Sequence, residues 1–427
     1  MTPSLPLVAG VPVEFILFAL TLAGVALFHH HALRIAVLGL VAITIYKWAF
    51  SSFAGVAGAA GLFALLHHEW VTVANLFCLL LGFALLARHF EESRLPAILP
   101  KYLPDDWKGG FALLALVFLL SAVLDNIAAA LIGGAMAHQL FRSKVHIAYL
   151  AAIVAAANAG GAGSVVGDTT TTMMWIAGVS PLQVAEAALG ALVALVVFGV
   201  PAAIIQQRHS PILHHAHEHT HVDWPRLGIV GAMLLIAMAT NLIVNAEYPE
   251  YADSFPFIGV AVWIAILLTA KIRRHDWEVV PDAAKGAVFL LSLVLCASLM
   301  PVEKLPSASW QSTLGLGFVS SVFDNIPLTA LALKQGGYDW GFLAYAAGCG
   351  GSMMWFGSSA GVALSAMYPE VRSVGRWLHY GWFIIIGYVA GFLVMLIVLG
   401  WHPEVAHRQV DQRPHAAIGA ETLPVAP

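Results

Sequence analysis

Asp125-Asn126 and Asp324-Asn325 are the side chains of this sequence best placed to do chemistry, because each pair interrupts an otherwise apolar run: SAVLDNIAAALIGG from Ser121 to Gly134, and SSVFDNIPLTALAL from Ser320 to Leu333. Asp125 to Asp324 and Ser121 to Ser320 are the same number of residues apart, so the two stretches keep one register. A second pair of polar clusters stands among glycines. NAGGAGSVVGDTTTTMMW carries Asn158, Ser164, Asp168 and the run Thr169 to Thr172, while GCGGSMMWFGSSAG carries Ser352, Ser358 and Ser359. Carboxylate, amide and hydroxyl oxygens are the ligands that hard cations take. The candidate ion- or substrate-binding set is therefore Asp125, Asn126, Asn158, Ser164, Asp168, Thr169, Thr170, Asp324, Asn325, Ser352, Ser358 and Ser359. Neither Arg nor Lys occurs in these four motifs.

The elements that hold such residues are membrane elements. Of 427 residues, 60% are hydrophobic and 10% charged, against roughly 25% charged in a soluble domain. The expected fold class is an all-α polytopic membrane protein. A net charge of −4 offers no basic field for nucleic acid. Cys78, Cys296 and Cys349 lie in apolar segments at no metal-ligand spacing. The first basic residue, Arg34, follows the first apolar run, so no secretory leader is expected.

About 30 Å of hydrocarbon needs roughly 20 helical residues. Spans are expected near Val11 to Phe28, Ile35 to Phe53, Val71 to Ala87, Val145 to Gly178 and Gln183 to Ile205. A second set is expected near Leu227 to Asn245, Phe257 to Ala270, Gly286 to Met300, Gly341 to Met367 and His379 to Gly400. Ala54 to Leu66 is apolar but short, which suggests an interfacial or re-entrant piece. The two DNI stretches break the pattern: their arms are too short to cross alone, and one unbroken helix would put a carboxylate at the bilayer centre, where it costs roughly 2.5 to 3.5 kcal/mol. A re-entrant hairpin with DNI at its tip avoids this, because irregular backbone at membrane depth is tolerated where protein or a watery cavity satisfies it. In the two glycine-rich spans, Gly160, Gly161, Gly163 and Gly167, then Gly348, Gly350, Gly351 and Gly357, are positioned to break the helix. With the amino terminus outside, fifteen of the 20 Lys and Arg fall in cytoplasmic loops, a strong positive-inside bias.

That topology inverts the two halves, the architecture of secondary transporters. Residues 1–205 form the first inverted repeat, with a hairpin over 110–142 and a broken helix over 145–178. Residues 206–226 form a His-rich cytoplasmic linker. Residues 227–400 form the second repeat, with a hairpin over 311–334 and a broken helix over 341–367, and 401–427 form a polar tail. The expectation is about ten spans plus two hairpins.

GGAGSVVGDTTTTMMWIAG, the paired DNI tips and GGSMMWFGSSAGVA resemble the NhaD type of sodium/proton antiporter, within the ion transporter superfamily that also includes citrate, arsenite and dicarboxylate carriers. The resemblance runs from about Tyr46 to Gly400. It implies that hairpins and broken helices form a transport unit that moves as an elevator on a scaffold, often within a homodimer, in a membrane such as the bacterial inner membrane. AAALIGG after the first DNI has fewer hydroxyls than that pattern leads one to expect. A carboxylate carrier coupled to H⁺ or a cation is the alternative, since related sequences carry citrate. Three carboxylates among hydroxyls suit Na⁺, Li⁺ and H⁺ better, because a citrate site would prefer cationic or neutral donors. Burial raises an aspartate pKa toward neutrality, so one carboxylate can exchange a proton for a sodium ion. No cofactor is expected beyond transported Na⁺ and H⁺, and the expected partners are the lipid bilayer and small inorganic ions or a carboxylate.

Structural roles compete for several of these residues. Asp168 before four threonines suits a helix N-cap, and Asn325 could cap the arm containing Pro327. Glu14, Glu186, Asn75 and Asn241 suit helix-end or interhelical contacts, and Lys47 suits snorkelling to the interface. HHAHEHTH, His214 to His221, reads chiefly as a solvated linker, with transition-metal binding the weaker option. No H-E-x-x-H motif occurs and no span carries paired His ligands, which argues against an intramembrane metalloprotease and any other enzyme. A passive channel stays open; inverted hairpins favour a carrier.

Overall fold

The computed structural model describes residues 7–8, 11–28, 31–53, 58–95, 103–212, 221–248, 251 and 254–404. Those residues are helical almost throughout. The strands are Leu7–Val8 and Val11–Pro12, which form one short antiparallel pair. Six helices are long and apolar enough to cross a membrane, and four shorter apolar helices accompany them. The chain is a multi-span α-helical membrane protein.

The outer group comprises α1 (Val13–Leu27), α2 (Ala32–Phe50), α3 (Gly58–Glu92), α10 (Trp224–Glu247), α11 (Phe257–Thr269) and α12 (Val280–Ser298). These are greasy on most faces: α2 buries Ala36, Ile43 and Lys47, and exposes Leu38, Ile45, Trp48 and Phe50. A helix that is apolar all round and unburied by protein is one solvated by lipid. α3 corrects one expectation and a residue of α2, Lys47, another. Gly58 to Leu66 is part of one 35-residue helix rather than a separate piece; residues 54–57 lie outside the described set. His67, His68 and Glu69 lower the local hydropathy without breaking a helix, since none of them removes a backbone donor or favours another conformation strongly. At 1.5 Å per residue α3 is about 52 Å long, so it outruns about 30 Å of hydrocarbon. Lys47 does not snorkel: it is 7% exposed and its Nζ donates to the Leu299 carbonyl at 2.7 Å, at the α12 C-terminus, where the helix dipole favours a cation.

The inner group comprises α4 (Trp107–Ser121), α5 (Asn126–Leu140), α6 (Ile147–Ala162), α7 (Thr169–Ile176), α8 (Pro181–Ala185), α9 (Ala187–His209), α13 (Trp310–Ser320), α14 (Asn325–Gln335), α15 (Trp340–Gly350), α16 (Ser359–Met367) and α17 (Val374–Val398). Every residue of α6 and of α15 is buried. Their Ala- and Gly-rich sequences lack a polar face and let neighbours approach closely. α6 packs against α4, α5, α9, α15 and α17, while α9 and α17 pack along each other. Each DNI motif lies where one helix stops and the next begins, after a bend over 122–125 or 321–324. Each glycine-rich span is likewise two helices, α6 then α7, and α15 then α16.

Backbones meet at matching places in the two halves. A Cβ on Gly160 would stand 2.0 Å from the Phe118 carbonyl oxygen, and one on Gly350 would stand 2.3 Å from that of Gly317. The Ser121 hydroxyl donates to the Ala157 carbonyl at 2.5 Å and the Ser320 hydroxyl to that of Ala347 at 3.0 Å. Pairing then crosses between halves: α5 packs on α16, and α14 on α7.

Candidate functional site

Four helix N-termini meet at the centre of the inner group, each opened by one of the expected residues. Asp125 is the N-cap of α5, Asp168 of α7, Asp324 of α14 and Ser358 of α16. The first backbone N–H groups of a helix have no partner inside it, so a side-chain oxygen is needed there and a partial positive charge accumulates. Asp168 Oδ1 accepts from the Thr170 N–H at 3.0 Å, Asp324 Oδ1 from the Ile326 N–H at 3.0 Å, and Ser358 Oγ from the Gly361 N–H at 3.3 Å. The cap of the second DNI arm is thus Asp324 and not Asn325, because the helix begins at Asn325 itself. Asp125 occupies its cap position without a capping hydrogen bond from its side chain.

Amides tie the halves together. Asn126 Nδ2 donates to Asn158 Oδ1 at 3.1 Å, and Asn158 Nδ2 lies 2.9 Å from both Ser352 Oγ and Ser358 Oγ. Asn158 is fully buried, and those partners are at most 5% exposed. Across the centre Asn325 Nδ2 reaches Asp168 Oδ2 at 3.5 Å, and Ser359 Oγ donates to Asp324 Oδ2 at 3.2 Å. The remaining members serve the fold visibly: Ser164 Oγ donates to the Ala122 carbonyl at 2.6 Å, tying the first glycine break to the bend before Asp125. Thr171 and Thr172 donate their hydroxyls back to the Asp168 carbonyl, both at 2.9 Å. Thr169 is half-buried, and Thr170 contributes its backbone N–H to Asp168. Of the tract His214 to His221, residues 214–220 lie outside the described set, as do residues 405–427 of the tail.

A cavity of about 650 Å³ opens beside this centre. Asp125, Ile127, Ala128, Val166, Thr169 and Thr172 line its inner wall, and α3 and α12 supply the facing wall through Leu76, Leu80, Phe83, Ala287 and Leu290. Its rim carries Arg88, Glu91, Asp276, Glu278 and Asp282. Four of these five are carboxylates. Sequence reasoning missed this rim, since its residues belong to no motif and are gathered from α3 and from the chain entering α12.

Such an arrangement can bind a partly dehydrated hard cation through oxygen ligands. The hydrogen bonds recorded to the Asp168 and Asp324 carboxylates come from backbone N–H, amide and hydroxyl groups. None comes from an arginine or lysine among the described residues. Asn75, expected as an interhelical contact, is one: its Oδ1 accepts from the Gly259 N–H at 3.0 Å, joining α3 to α11.

No family model matches the chain. Among curated proteins it is similar to Sodium/proton antiporter 1 of Arabidopsis thaliana, with 27% identity over 334 residues, which is 70% of this chain and 56% of that protein. Similarity to Sodium/proton antiporter 2 of the same plant is 29% identity over 338 residues, 68% of this chain and 76% of that protein. With the Na(+)/H(+) antiporter NhaD of Vibrio cholerae it is 26% over 394 residues, 78% of this chain and 80% of that protein. The chain thus spans little more than half of the first plant relative and most of the bacterial one. Motifs and extended similarity agree: the chain is similar over most of its length to NhaD-type sodium/proton antiporters.

Proposed function

We propose that this protein is a secondary active carrier that exchanges Na⁺ or Li⁺ for H⁺ across a membrane, the bacterial plasma membrane being the setting that the NhaD relatives favour. The observation that carries the reading is the set of three carboxylates, Asp125, Asp168 and Asp324, held at helix N-termini among amides and hydroxyls. An anionic substrate would meet like charge there, whereas a cation and a proton compete for the same oxygens. The names of the relatives support the exchange of these two ions.

Alternating access is proposed to run as an elevator, with two inverted repeats contributing re-entrant hairpins α4–α5 and α13–α14 and broken helices α6–α7 and α15–α16. The matched contacts of Gly160 and Gly350 and of Ser121 and Ser320 support the repeat. The separation of inner and outer helix groups along the cavity supports a moving unit on a fixed one. A dimer formed through the outer group fits this scheme.

Proteoliposomes holding the purified protein and an internal pH dye test the reading. Additions of Na⁺ and Li⁺ are expected to move protons, and K⁺, citrate and succinate are not. Uptake of citrate or succinate without cation-dependent proton movement would replace the proposal by carboxylate transport.

A further inference from the structure

We infer that His89 and His275 form a second proton-binding site, which positions the mouth of the cavity and holds it as observed only while both imidazoles are neutral. What the mouth admits rests on the ion-exchange reading; the proton site itself does not.

His89 lies on the last turn of α3 and His275 in the turn between α11 and α12, and they are 2% and 5% exposed. The rings meet edge to face with centroids 4.5 Å apart, and His89 Nε2 makes a short hydrogen bond with His275 Nδ1. The two outer nitrogens are also occupied. Arg226 Nη1 stands 3.0 Å from His89 Nδ1, and His275 Nε2 stands 2.6 Å from the Ile266 carbonyl oxygen. A guanidinium can only donate and a carbonyl can only accept. Arg226 therefore donates to His89 Nδ1, which makes His89 Nε2–H the donor to His275 Nδ1 and His275 Nε2–H the donor to Ile266. Every nitrogen in the chain is paired in this neutral arrangement, and His275 Nε2 has a second, longer contact with Thr269 Oγ1 at 3.4 Å. An added proton must sit on His89 Nδ1, facing the Arg226 donors, or on His275 Nδ1, facing His89 Nε2–H. Either sets N–H against N–H in a buried place beside a guanidinium.

The neighbouring charges leave the rings without a carboxylate partner. Around the pair, α3 brings Arg88, Glu91 and Glu92, the start of α10 brings Asp223 and Arg226, the α11–α12 turn brings Arg273 and Asp276, and α12 brings Asp282; of these, Arg88, Glu91, Asp276 and Asp282 line the cavity. Arg226 pairs with Glu92 at 2.5 Å, and Arg273 with Asp223 at 3.0 Å. The Arg273 contact holds Asp223 below the ordinary carboxylate range, so it stays ionised where imidazoles titrate. Among the described residues no carboxylate hydrogen-bonds to either ring. The residues next in sequence to the pair, Arg88 and Asp276, bridge the rim at 2.8 Å. Protonating the pair pushes the end of α3 and the α11–α12 turn apart at the point where Arg88 and Asp276 define the opening.

Trp277 reports on the pair, because its ring stands edge-on to His275 with centroids 5.6 Å apart and an adjacent imidazolium quenches indole emission. The full-length protein in detergent without Na⁺ is titrated from about pH 8 to about pH 3.5, because a buried proton that meets only donors binds less readily than on a free imidazole, as wild type, Trp277→Phe and His275→Gln. The difference between wild type and Trp277→Phe is expected to show a transition in that range that His275→Gln abolishes. In proteoliposomes, the exchange rate at about pH 4.5, as a fraction of each protein's own maximum, is expected to be at least about twofold higher in His275→Gln and His89→Gln than in wild type. A flat Trp277 signal, or normalised profiles that superimpose, would overturn the inference. Should the His variants not fold, the wild type and Trp277→Phe comparison decides alone. Absence of Na⁺-driven proton movement in the wild type at every pH sinks the ion-exchange reading and leaves the fluorescence result standing.

Discussion

Asp125, Asp168 and Asp324 differ in their partners more than in their chemistry. Asp168 is held by Thr170 N–H and Asn325, and Asp324 by Ile326 N–H and Ser359, whereas Asp125 faces the cavity beside Thr169. Replacing an aspartate by asparagine keeps size and capping ability but removes the charge for which a cation and a proton compete. Asp125→Asn and Asp168→Asn are each expected to reduce Na⁺-driven proton movement to that of empty vesicles, while detergent-extracted protein keeps its elution profile and melting temperature. Wild-type rates in both variants would end the proposed mechanism. Asp324→Asn is the milder test, because its counterpart region offers Ser358 and Ser359 where the first half has Asp168 and Thr169.

Among elements, the contact between the first DNI arm and the broken helix limits what each half tolerates. Gly160 brings α6 against the α4 backbone, and Gly350 does the same for α15 and α13. Nothing flexible can yield there, since the atoms met are main-chain carbonyls. Gly160→Ala and Gly350→Ala are each expected to destabilise by roughly 1–3 kcal/mol, the usual cost of overpacking, read as a lower melting temperature. Gly228, on α10 with nothing within 4 Å of its added Cβ, is the control: Gly228→Ala is expected to be neutral or stabilising by up to about 1 kcal/mol. Equal losses at all three positions would show that the close approach is not what matters.

For the molecule as a whole, inner and outer helices supply the two facing walls of the cavity. The two halves are joined by the segment between α9, which ends at His209, and α10, which begins at Trp224. That segment carries the His-rich tract but none of the motif residues. Deleting His214 to His221 is expected to leave exchange largely intact in proteoliposomes. Loss of exchange in a well-folded deletion would assign the tract a role beyond tethering. Under the proposed function, the rim carboxylates Glu91, Asp276, Glu278 and Asp282 would attract cations electrostatically, an effect expected to weaken with ionic strength.

The sequence by itself determined the membrane class, the four irregular segments and the polar residues that stand beside them. These are local signals: hydropathy over a span, glycines beside polar residues, and an aspartate at a helix start each act over a few positions and leave a readable mark. A polar pair in grease is legible because its burial is costly whatever the surroundings. Local hydropathy also misled, since it separated Gly58 to Leu66 from a helix that runs on through His67 and His68, and it sent buried Lys47 to the interface. Only the tertiary structure decided that Asn158 bridges Asn126 to Ser352 and Ser358, that Asn325 reaches Asp168 across the halves, which aspartate faces the cavity, and that His89 meets His275. Those partners lie far apart along the chain. Their meeting depends on how glycine-thinned helices pack, and no short window of sequence contains that.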